Sequence, residues 1–247
     1  MISLWPSPVN WSMPHKSGLF EPATLLMSSA ESLTCLIRQT LSQARIVAET
    51  LPDCDGLQLY LLAADFPQDA LSPKEMYAAL HEPAYWIFCW ASGLALARRI
   101  LREPALVRGK KVLDFGAGSG VVACAAALAG AREVVACDID PASLQACAAN
   151  ARLNGVQIRL DSDFFALQEE FDLVLAADVL YDKANHGFLD AFLQRAPDVL
   201  VADSRVKNLQ IPPYLLEHEE EAETLPDLNE FDEFRHVRFY RGQRTLS

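Results

Sequence analysis

The chain has 247 residues, 51% of them hydrophobic, and a formal net charge of −12 at pH 7. This length and composition allow a substantial buried core, arranged as one domain with an extension. No apolar run reaches the roughly 18 residues that cross a bilayer, so we expect no membrane association. Nine acids between Glu217 and Glu233 form a strongly negative segment, and such a surface repels phosphate backbones, which argues against nucleic acid as a partner.

Cysteine use and the N-terminal sequence indicate a cellular compartment. The six cysteines show no C-x-x-C pair and no metal-type spacing with histidine, so we expect reduced thiols and no metal site. The N-terminal sequence lacks a basic segment leading into an apolar one, as a secretion signal would have. We therefore expect a cytoplasmic protein, and we expect a monomer.

Residues 1–56 are predicted to form an extension with one helix, followed by the main domain at 57–247. Apolar residues from Glu31 to about Thr50 recur at helical spacing and predict that helix. Three further elements are predicted before residue 109: a strand in LQLYLLAA (57–64), a short helix opened by Ser72 and Pro73, and a longer apolar helix from about Ala84 to Leu101.

From Gly109 onward, strands alternate with helices of about ten to fifteen residues. The predicted strands are KKVLDF, REVVACD, VQIRL, FDLVLAADVLY, PDVLVADS and two in the tail 214–242, the last being FRHVRFY. This alternation predicts an α/β fold, a Rossmann-like, seven-stranded, mainly parallel sheet with helices on both faces. Ligands of such sheets bind beyond the carboxyl ends of the strands.

The segment LDFGAGSG follows the first of these strands and has the pattern D-x-G-x-G-x-G, formed by Asp114, Gly116, Gly118 and Gly120. The dinucleotide fingerprint G-x-G-x-x-G would need glycine where Val121 stands, and a phosphate loop would need Gly-Lys-Ser/Thr. We interpret the carboxylate as aimed into the loop, where it would repel a pyrophosphate. A cationic ligand without phosphate, S-adenosylmethionine (SAM), suits this pattern.

Acids at the next two strand ends complete the predicted SAM site. Asp138 ends the second strand, where its carboxylate can accept hydrogen bonds from both ribose hydroxyls. Asp140 precedes a proline and is interpreted as a helix N-cap. After the third strand, Asp163 is predicted to accept from the adenine amino group, with Phe164 against the ring. Asp161 is the alternative for the adenine contact.

The stretch GKKVLDFGAGSGVVACAAALAGAREVVACDIDP resembles the class I, seven-β-strand SAM-dependent methyltransferases. The chain is also similar to the protein-lysine methyltransferase group that includes the electron transfer flavoprotein beta-subunit lysine methyltransferase and its bacterial relatives. This similarity lies in the segments EPAYWIFCWASGLALARRIL and ADVLYD. Ribosomal-protein methyltransferases are more distant. The resemblance covers about residues 57–245 and implies methyl transfer from SAM to an exposed lysine of a protein substrate.

The resemblance also points to an acceptor motif at the end of the fourth strand. That group carries an acid, two residues and then Tyr or Phe, which are Asp178 and Tyr181 here, and not the Asn-Pro-Pro-Tyr of enzymes that methylate amides or bases. At a strand end beside the methyl group, Asp178 would bind and aim a lysine ammonium, and Tyr181 would hydrogen-bond the amine or line the channel. Alternatively, Asp178 caps the next segment and Tyr181 belongs to the core.

Trp86 and Trp90 fall one turn apart in the predicted helix 84–101, a spacing that more often marks core packing than a cofactor wall. The resemblance places this helix across the cofactor site, with Trp90 near the methionine part of SAM. Relatives often have a second glycine where Ser92 stands, so the resemblance assigns Ser92 no role.

Alternatives to protein-lysine methylation are a small-molecule amine N-methyltransferase and a SAM-binding protein without catalysis.

Overall fold

A computed structural model of the chain describes residues 28–67, 71–180, 183–228 and 231–244. Its helices are α1 (Ser29–Ile37), α2 (Pro73–His81), α3 (Ala91–Arg102), α4 (Val121–Leu128), α5 (Pro141–Leu153) and α6 (Gly187–Arg195). Its strands are β1 (Ile46–Thr50), β2 (Gln58–Leu62), β3 (Lys111–Phe115), β4 (Glu133–Cys137), β5 (Arg159–Asp161), β6 (Leu173–Ala177), β7 (Asp198–Asp203), β8 (Leu215–Glu221) and β9 (His236–Gln243).

Seven strands form one sheet in the order β5-β4-β3-β6-β7-β9-β8. Neighbours from β5 to β7 are parallel, whereas β9 runs antiparallel to both β7 and β8. Successive residues of β3 face opposite sides, since Val112 packs in the core cluster with α3 and α4, and Leu113 packs in the cluster with α6. The predicted Rossmann-like fold, mainly parallel and covered on both faces, is therefore confirmed.

The N-terminal region departs from its predicted helix. α1 ends at Ile37, and the chain then enters β1, which pairs antiparallel with β2 from Ile46 opposite Leu62 to Thr50 opposite Gln58. The helix predicted as far as Thr50 is wrong because pairing with a strand that lies later in the sequence overrides the local apolar spacing. The predicted domain boundary after residue 56 falls between these two paired strands.

The long helix predicted over 84–101 is also wrong in its first half. Tyr85–Ile87 form a 3-10 turn, the chain then extends, and α3 begins at Ala91. The extended part pairs with a distant segment, because the backbone N–H and C=O of Cys89 both hydrogen-bond Leu225. Trp86 is a fully buried core residue and does not share a helix face with Trp90.

Several smaller expectations can be compared with the structure directly. Ser72 caps α2, accepting from the Glu75 backbone, as predicted. All six cysteines are free thiols, and five of them are buried. None of the helices in the described ranges is both long and apolar enough to span a membrane.

Candidate functional site

The three glycines of the loop between β3 and α4 share one backbone conformation but differ in the space around them. Gly116, Gly118 and Gly120 all have positive φ, at +69°, +53° and +77°, a conformation that other residues rarely adopt. A Cβ on Gly116 would also lie 2.9 Å from Val179 Cγ1, and one on Gly120 would lie 3.0 Å from Cys147 Sγ. A Cβ on Gly118 would meet nothing nearer than 3.9 Å. The middle of the loop therefore has an open side toward which a ligand can approach the backbone.

Asp114 supports this loop from inside the protein. Its side chain is only 2% exposed, and its Oδ2 accepts a hydrogen bond of 2.9 Å from the backbone N–H of Ala123 in the first turn of α4. Burial raises the pKa of Asp114 to about 7. The predicted orientation of this carboxylate into the loop is wrong, because α4 needs a partner for its first N–H groups and Gly120 has no side chain to cap them.

Asp138 follows β4 and holds the open side of the same loop. Its Oδ2 accepts from Gly118 N at 2.8 Å, and its Oδ1 accepts from Asp140 N at 2.9 Å. Burial raises the pKa of Asp138 to about 6, although these backbone bonds act in the opposite direction. Each carboxylate oxygen has a second lone pair, so Asp138 can still accept hydrogen bonds from a ligand. Asp140 caps α5 through Ala142 N, as predicted.

Asp161 and Asp163 continue this row of polar groups at the end of β5, the strand next to β4. Asp161 ends β5, and its backbone C=O accepts from Asp138 N at 3.1 Å. Its Oδ1 accepts from Asp163 N at 3.0 Å. The Oδ1 of Asp163 closes a local turn by accepting from Phe165 N and Ala166 N, at 2.9 and 3.1 Å. Asp161 therefore lies beside Asp138, and Asp163 is linked to it through Asp161. The choice between the two acids as the adenine contact stays a prediction.

Phe164 does not have the free ring face that an adenine would need. It is 1% exposed and packs edge-on against Phe115, with ring centroids 5.1 Å apart, while the Arg195 guanidinium lies 5.5 Å from its ring. Phe165, next in sequence, is 59% exposed. The prediction that Phe164 covers the adenine is therefore wrong, because the periodicity of a short loop does not show which of two adjacent rings enters the core.

Asp178 follows β6 and has a positive φ of +51°. Its Oδ1 accepts hydrogen bonds from Ser92 Oγ (2.7 Å), Ser204 Oγ (2.8 Å) and Ser204 N (3.1 Å). Its Oδ2 accepts from Ser92 N at 3.2 Å. Sequence reasoning missed both serines; the only available signal was that Ser204 follows an acid at the end of a buried strand. Tyr181, the other predicted acceptor-side residue, lies outside the described residues.

A second carboxylate, Asp203, lies behind Asp178 at the end of β7. It is fully buried and accepts from the backbone N–H groups of Leu180, Arg205 and Val206. Burial, together with the negative charge of Asp178, raises the pKa of Asp203 to about 6. Asp203 therefore organises the loops after β6 and β7 and presents no free oxygen to solvent.

Trp90 lies immediately before α3, two residues from Ser92. Its ring is half-buried, and its Nε1 donates to Tyr85 O at 3.1 Å. The Phe88 ring packs edge-on against it, with centroids 5.3 Å apart. The indole is therefore fixed in direction on the segment that also holds Asp178.

These groups converge at the carboxyl edge of the sheet. β3 lies between β4 and β6, so the glycine loop lies between Asp138 and Asp178. The Val179 side chain reaches the Gly116 backbone and joins the end of β6 to the loop. Within the described ranges, no group of three or more His, Cys, Asp or Glu residues could hold a metal ion.

Known sequences resemble this chain around the site. The family model for ribosomal protein L11 methyltransferase (PrmA) matches residues 99–186. The chain is 40% identical over 113 residues to the electron transfer flavoprotein beta subunit lysine methyltransferase of Mus musculus, an alignment that covers 44% of each chain. It is 60% identical over 53 residues to the ribosomal protein L11 methyltransferase of Alteromonas mediterranea, covering 22% of this chain and 18% of the relative. The chain thus spans less than half the length of these curated relatives.

A solved structure resembles the chain over a longer range. The T. thermophilus 16S rRNA N2 G1207 methyltransferase, solved in complex with AdoMet and guanosine, matches 82% of this chain and 51% of its own, with a TM-score of 0.51 and 16% identity. At this identity the likeness concerns the fold alone. The chain therefore has the fold of this methyltransferase, as the sequence resemblance predicted, and residues 99–186 match the family model for ribosomal protein L11 methyltransferase.

Proposed function

We propose that this protein is a SAM-dependent N-methyltransferase that methylates lysine side chains of a protein substrate. The observation that carries the proposal is the position of Asp178, a fixed carboxylate at the end of β6 beside the glycine loop. The names of the relatives support it, because two groups of them are methyltransferases named for protein substrates.

The donor and acceptor groups of the site fit SAM. The open backbone at Gly118 allows close approach, Asp138 has acceptor capacity for a ribose diol, and Asp163 or Asp161 would accept from the adenine amino group. Trp90 would lie along the methionine part. The loop lacks the lysine that a triphosphate site would supply. When bound, SAM supplies an electrophilic methyl group.

On the acceptor side, Asp178 would bind a lysine ammonium and orient its nitrogen. Alignment of the nucleophile is the main demand of an in-line displacement. Direct proton transfer from lysine to this carboxylate would be uphill, since the reference pKa values are about 10.4 for Lys and about 3.9 for Asp. We therefore assign Asp178 to orientation and the removal of the proton to solvent. Tyr181 would contact the amine or line its channel.

By resemblance, the electron transfer flavoprotein beta subunit is the first candidate substrate, and a ribosomal protein of the L11 type is the second. We further propose that the protein acts in the cytoplasm as a monomer without nucleic acid, which the free thiols and the net charge of −12 support. A small-molecule amine N-methyltransferase and a non-catalytic SAM-binding protein are the alternatives.

Incubation with methyl-labelled SAM tests the proposal, with purified electron transfer flavoprotein beta subunit, ribosomal protein L11 and an amine metabolite extract as acceptors. We expect label on lysine of a protein acceptor, located by mass spectrometry. Asp178→Asn should lower the transfer rate by at least about 100-fold, because the charge that attracts the ammonium is lost, while asparagine still tolerates positive φ.

Asp138→Asn is the matched control on the cofactor side. An amide cannot accept at both positions where Asp138 accepts from Gly118 N and Asp140 N, so SAM affinity should fall by at least about tenfold. Asp178→Asn should change SAM affinity by less than about threefold. Label in the amine extract alone would favour the small-molecule alternative, and SAM binding without any transfer would favour the non-catalytic one.

A further inference from the structure

The carboxylate of Asp178 is held by two serines that come from different elements, a helix and a strand end. Ser92 lies in the first turn of α3, and Ser204 follows β7; both are buried. Each serine donates twice to Asp178, once from its hydroxyl and once from its backbone N–H. A side chain fixed from two separate elements has little freedom to rotate.

The four hydrogen bonds are divided unequally between the two oxygens. Oδ1 accepts three, at 2.7, 2.8 and 3.1 Å, whereas Oδ2 accepts one, at 3.2 Å. An ionised carboxylate offers about four lone-pair positions, two on each oxygen. Oδ1 is therefore saturated by the described residues, and Oδ2 retains acceptor capacity.

We propose that Ser92 and Ser204 are positioning residues that turn Oδ2 of Asp178 toward the incoming lysine ammonium. This inference rests on the proposed function. The serines touch neither the methyl group nor the amine; they act through the carboxylate that orients the amine.

The negative charge of the neighbouring Asp203 explains why the Asp178 carboxylate must be held in one orientation. Asp203 is buried behind Asp178, and its three backbone donors, Leu180, Arg205 and Val206, leave it without a side-chain donor among the described residues. Two carboxylates this close repel one another. The donors from Ser92 and Ser204 offset that repulsion and keep Asp178 in one orientation.

Initial rates test the inference, with purified electron transfer flavoprotein beta subunit as acceptor and saturating labelled SAM. Ser92→Ala and Ser204→Ala each remove one hydroxyl donor and keep the backbone donor of that residue. We expect kcat to fall about tenfold in each variant and about 100-fold in the double variant, since hydrogen bonds to charged groups are among the stronger ones. The Kd for SAM should stay within about twofold.

Thr224→Val is the matched control for local packing. Thr224 Oγ1 accepts from Ala91 N at 3.3 Å, so this hydroxyl also contacts the start of α3, next to Ser92. The variant removes a buried hydroxyl from the same place without removing a donor to Asp178. We expect its kcat to stay within about twofold of the wild type.

The effect of Ser92→Ala in an Asp178→Asn chain distinguishes a positioning role of the serine from a general structural role. In an Asp178→Asn chain, Ser92→Ala should change the residual rate by less than about threefold, because the serine acts through the carboxylate. A tenfold loss in that background, or an unchanged kcat in Ser92→Ala/Ser204→Ala, would overturn the inference. Lack of transfer by the wild-type chain to any protein acceptor would instead contradict the proposed function on which the inference rests.

Discussion

Among the described residues, three buried carboxyl groups lie at the carboxyl edge of the sheet, and each has a different partner. Asp114 caps α4, Asp138 holds Gly118, and Asp203 holds the loops after β6 and β7. Burial raises the pKa of Asp114 to about 7 and the pKa of Asp138 and Asp203 to about 6. Ionisation of these groups therefore opposes folding in the unliganded protein.

The stability of the unliganded chain should consequently fall as pH rises from about 4 to about 7. In this range the folded chain binds more protons than the unfolded chain, whose aspartates titrate near 3.9, so each rise in pH favours unfolding. Chemical denaturation at a series of pH values measures the effect. Asp114→Asn should reduce the fall, because one of the three raised groups is removed.

Glu75→Gln serves as the control for this pH series. Glu75 has its pKa lowered to about 2 by hydrogen bonds from Ser72 and Ser42, so its contribution changes only below about pH 4.5. The variant should shift stability by a constant amount above pH 5 and leave the slope intact. A wild-type stability that rises between pH 4 and 7 would contradict the assignment.

At the residue scale, sequence predicted which candidate side chains lie at the carboxyl edge of the sheet better than it predicted their directions. Asp138 was predictable because an acid at the end of a buried strand must lie at the ligand edge. The inward direction of Asp114 and the burial of Phe164 depend on packing against α4 and α6, which residue types in a loop do not reveal. Ser92 and Asp178 are 86 positions apart, so their hydrogen bond has no local signal.

At the scale of elements, α5 connects the N-terminal hairpin of β1 and β2 to the glycine loop. The buried Asn150 accepts from Tyr60 N of β2 at 2.7 Å and donates to Ser119 O of the loop at 2.8 Å. One turn later, Asn154 accepts from Gln58 N at 2.9 Å and donates to Gln58 O at 2.7 Å. The Asn150 side chain therefore links the hairpin directly to the glycine loop.

Replacement of Asn150 by alanine should affect both stability and cofactor binding. A part-buried N–H of Tyr60 and a buried C=O of Ser119 would lose their partners, which costs about 2 to 4 kcal/mol in the free energy of unfolding. The loop at Ser119 would also lose its anchor, and we expect the SAM Kd to rise about three- to tenfold. Calorimetric titration with SAM and chemical denaturation measure the two effects.

Asn154→Ala is the matched variant, because Asn154 holds the same strand without contacting the loop. It should lower stability by a similar amount and leave the SAM Kd within about twofold. Equal losses of affinity in both variants would show that the hairpin, and not the Asn150 link, supports the loop.

The elements with regular β/α alternation were predictable, because each strand and helix there buries a periodic apolar face. The two wrong helices share one cause. Residues 46–50 pair with β2, and Cys89 pairs with Leu225, so contacts distant in sequence decided the backbone conformation. In both segments the apolar spacing reflects the burial of side chains and does not indicate a helix.

At the scale of the whole molecule, we propose that residues 28–62 belong to the domain rather than to an appended extension. Buried side chains of α1 and β1, including Leu33, Ile37 and Ile46, share one core cluster with Trp86 and with Ala146 of α5. This cluster continues across the boundary that sequence predicted after residue 56.

Removal of residues 1–56 should therefore prevent stable folding. The deletion would expose several apolar side chains worth about 1.5 to 3 kcal/mol each, against a total stability of about 5 to 15 kcal/mol for a typical domain. We expect loss of a cooperative thermal transition and of SAM binding. A chain beginning at Ser28 keeps every described contact and is the control; a stable, SAM-binding chain of residues 57–247 would contradict the proposal.

Several acids of the run at 217–233 form ion pairs with arginines from other parts of the chain. Glu217 pairs with Arg99 and Arg241, Glu219 with Arg238, and Glu220 with Arg102, so basic residues on α3 and β9 offset the charge of three of its nine acids. The sequence alone indicated only a strongly negative segment, because the arginine partners lie elsewhere in the chain.

The last strand of the sheet, β8, pairs on one side only among the described residues, and its side chains are almost all exposed. Open edges invite pairing with another molecule and are a common start of aggregation. If two copies met antiparallel about His218, Glu217 of one would face Glu219 of the other, and like charges opposite each other repel. We therefore expect the acids of β8 to oppose pairing of two molecules at this edge, while their arginine partners hold the same strand to its own fold.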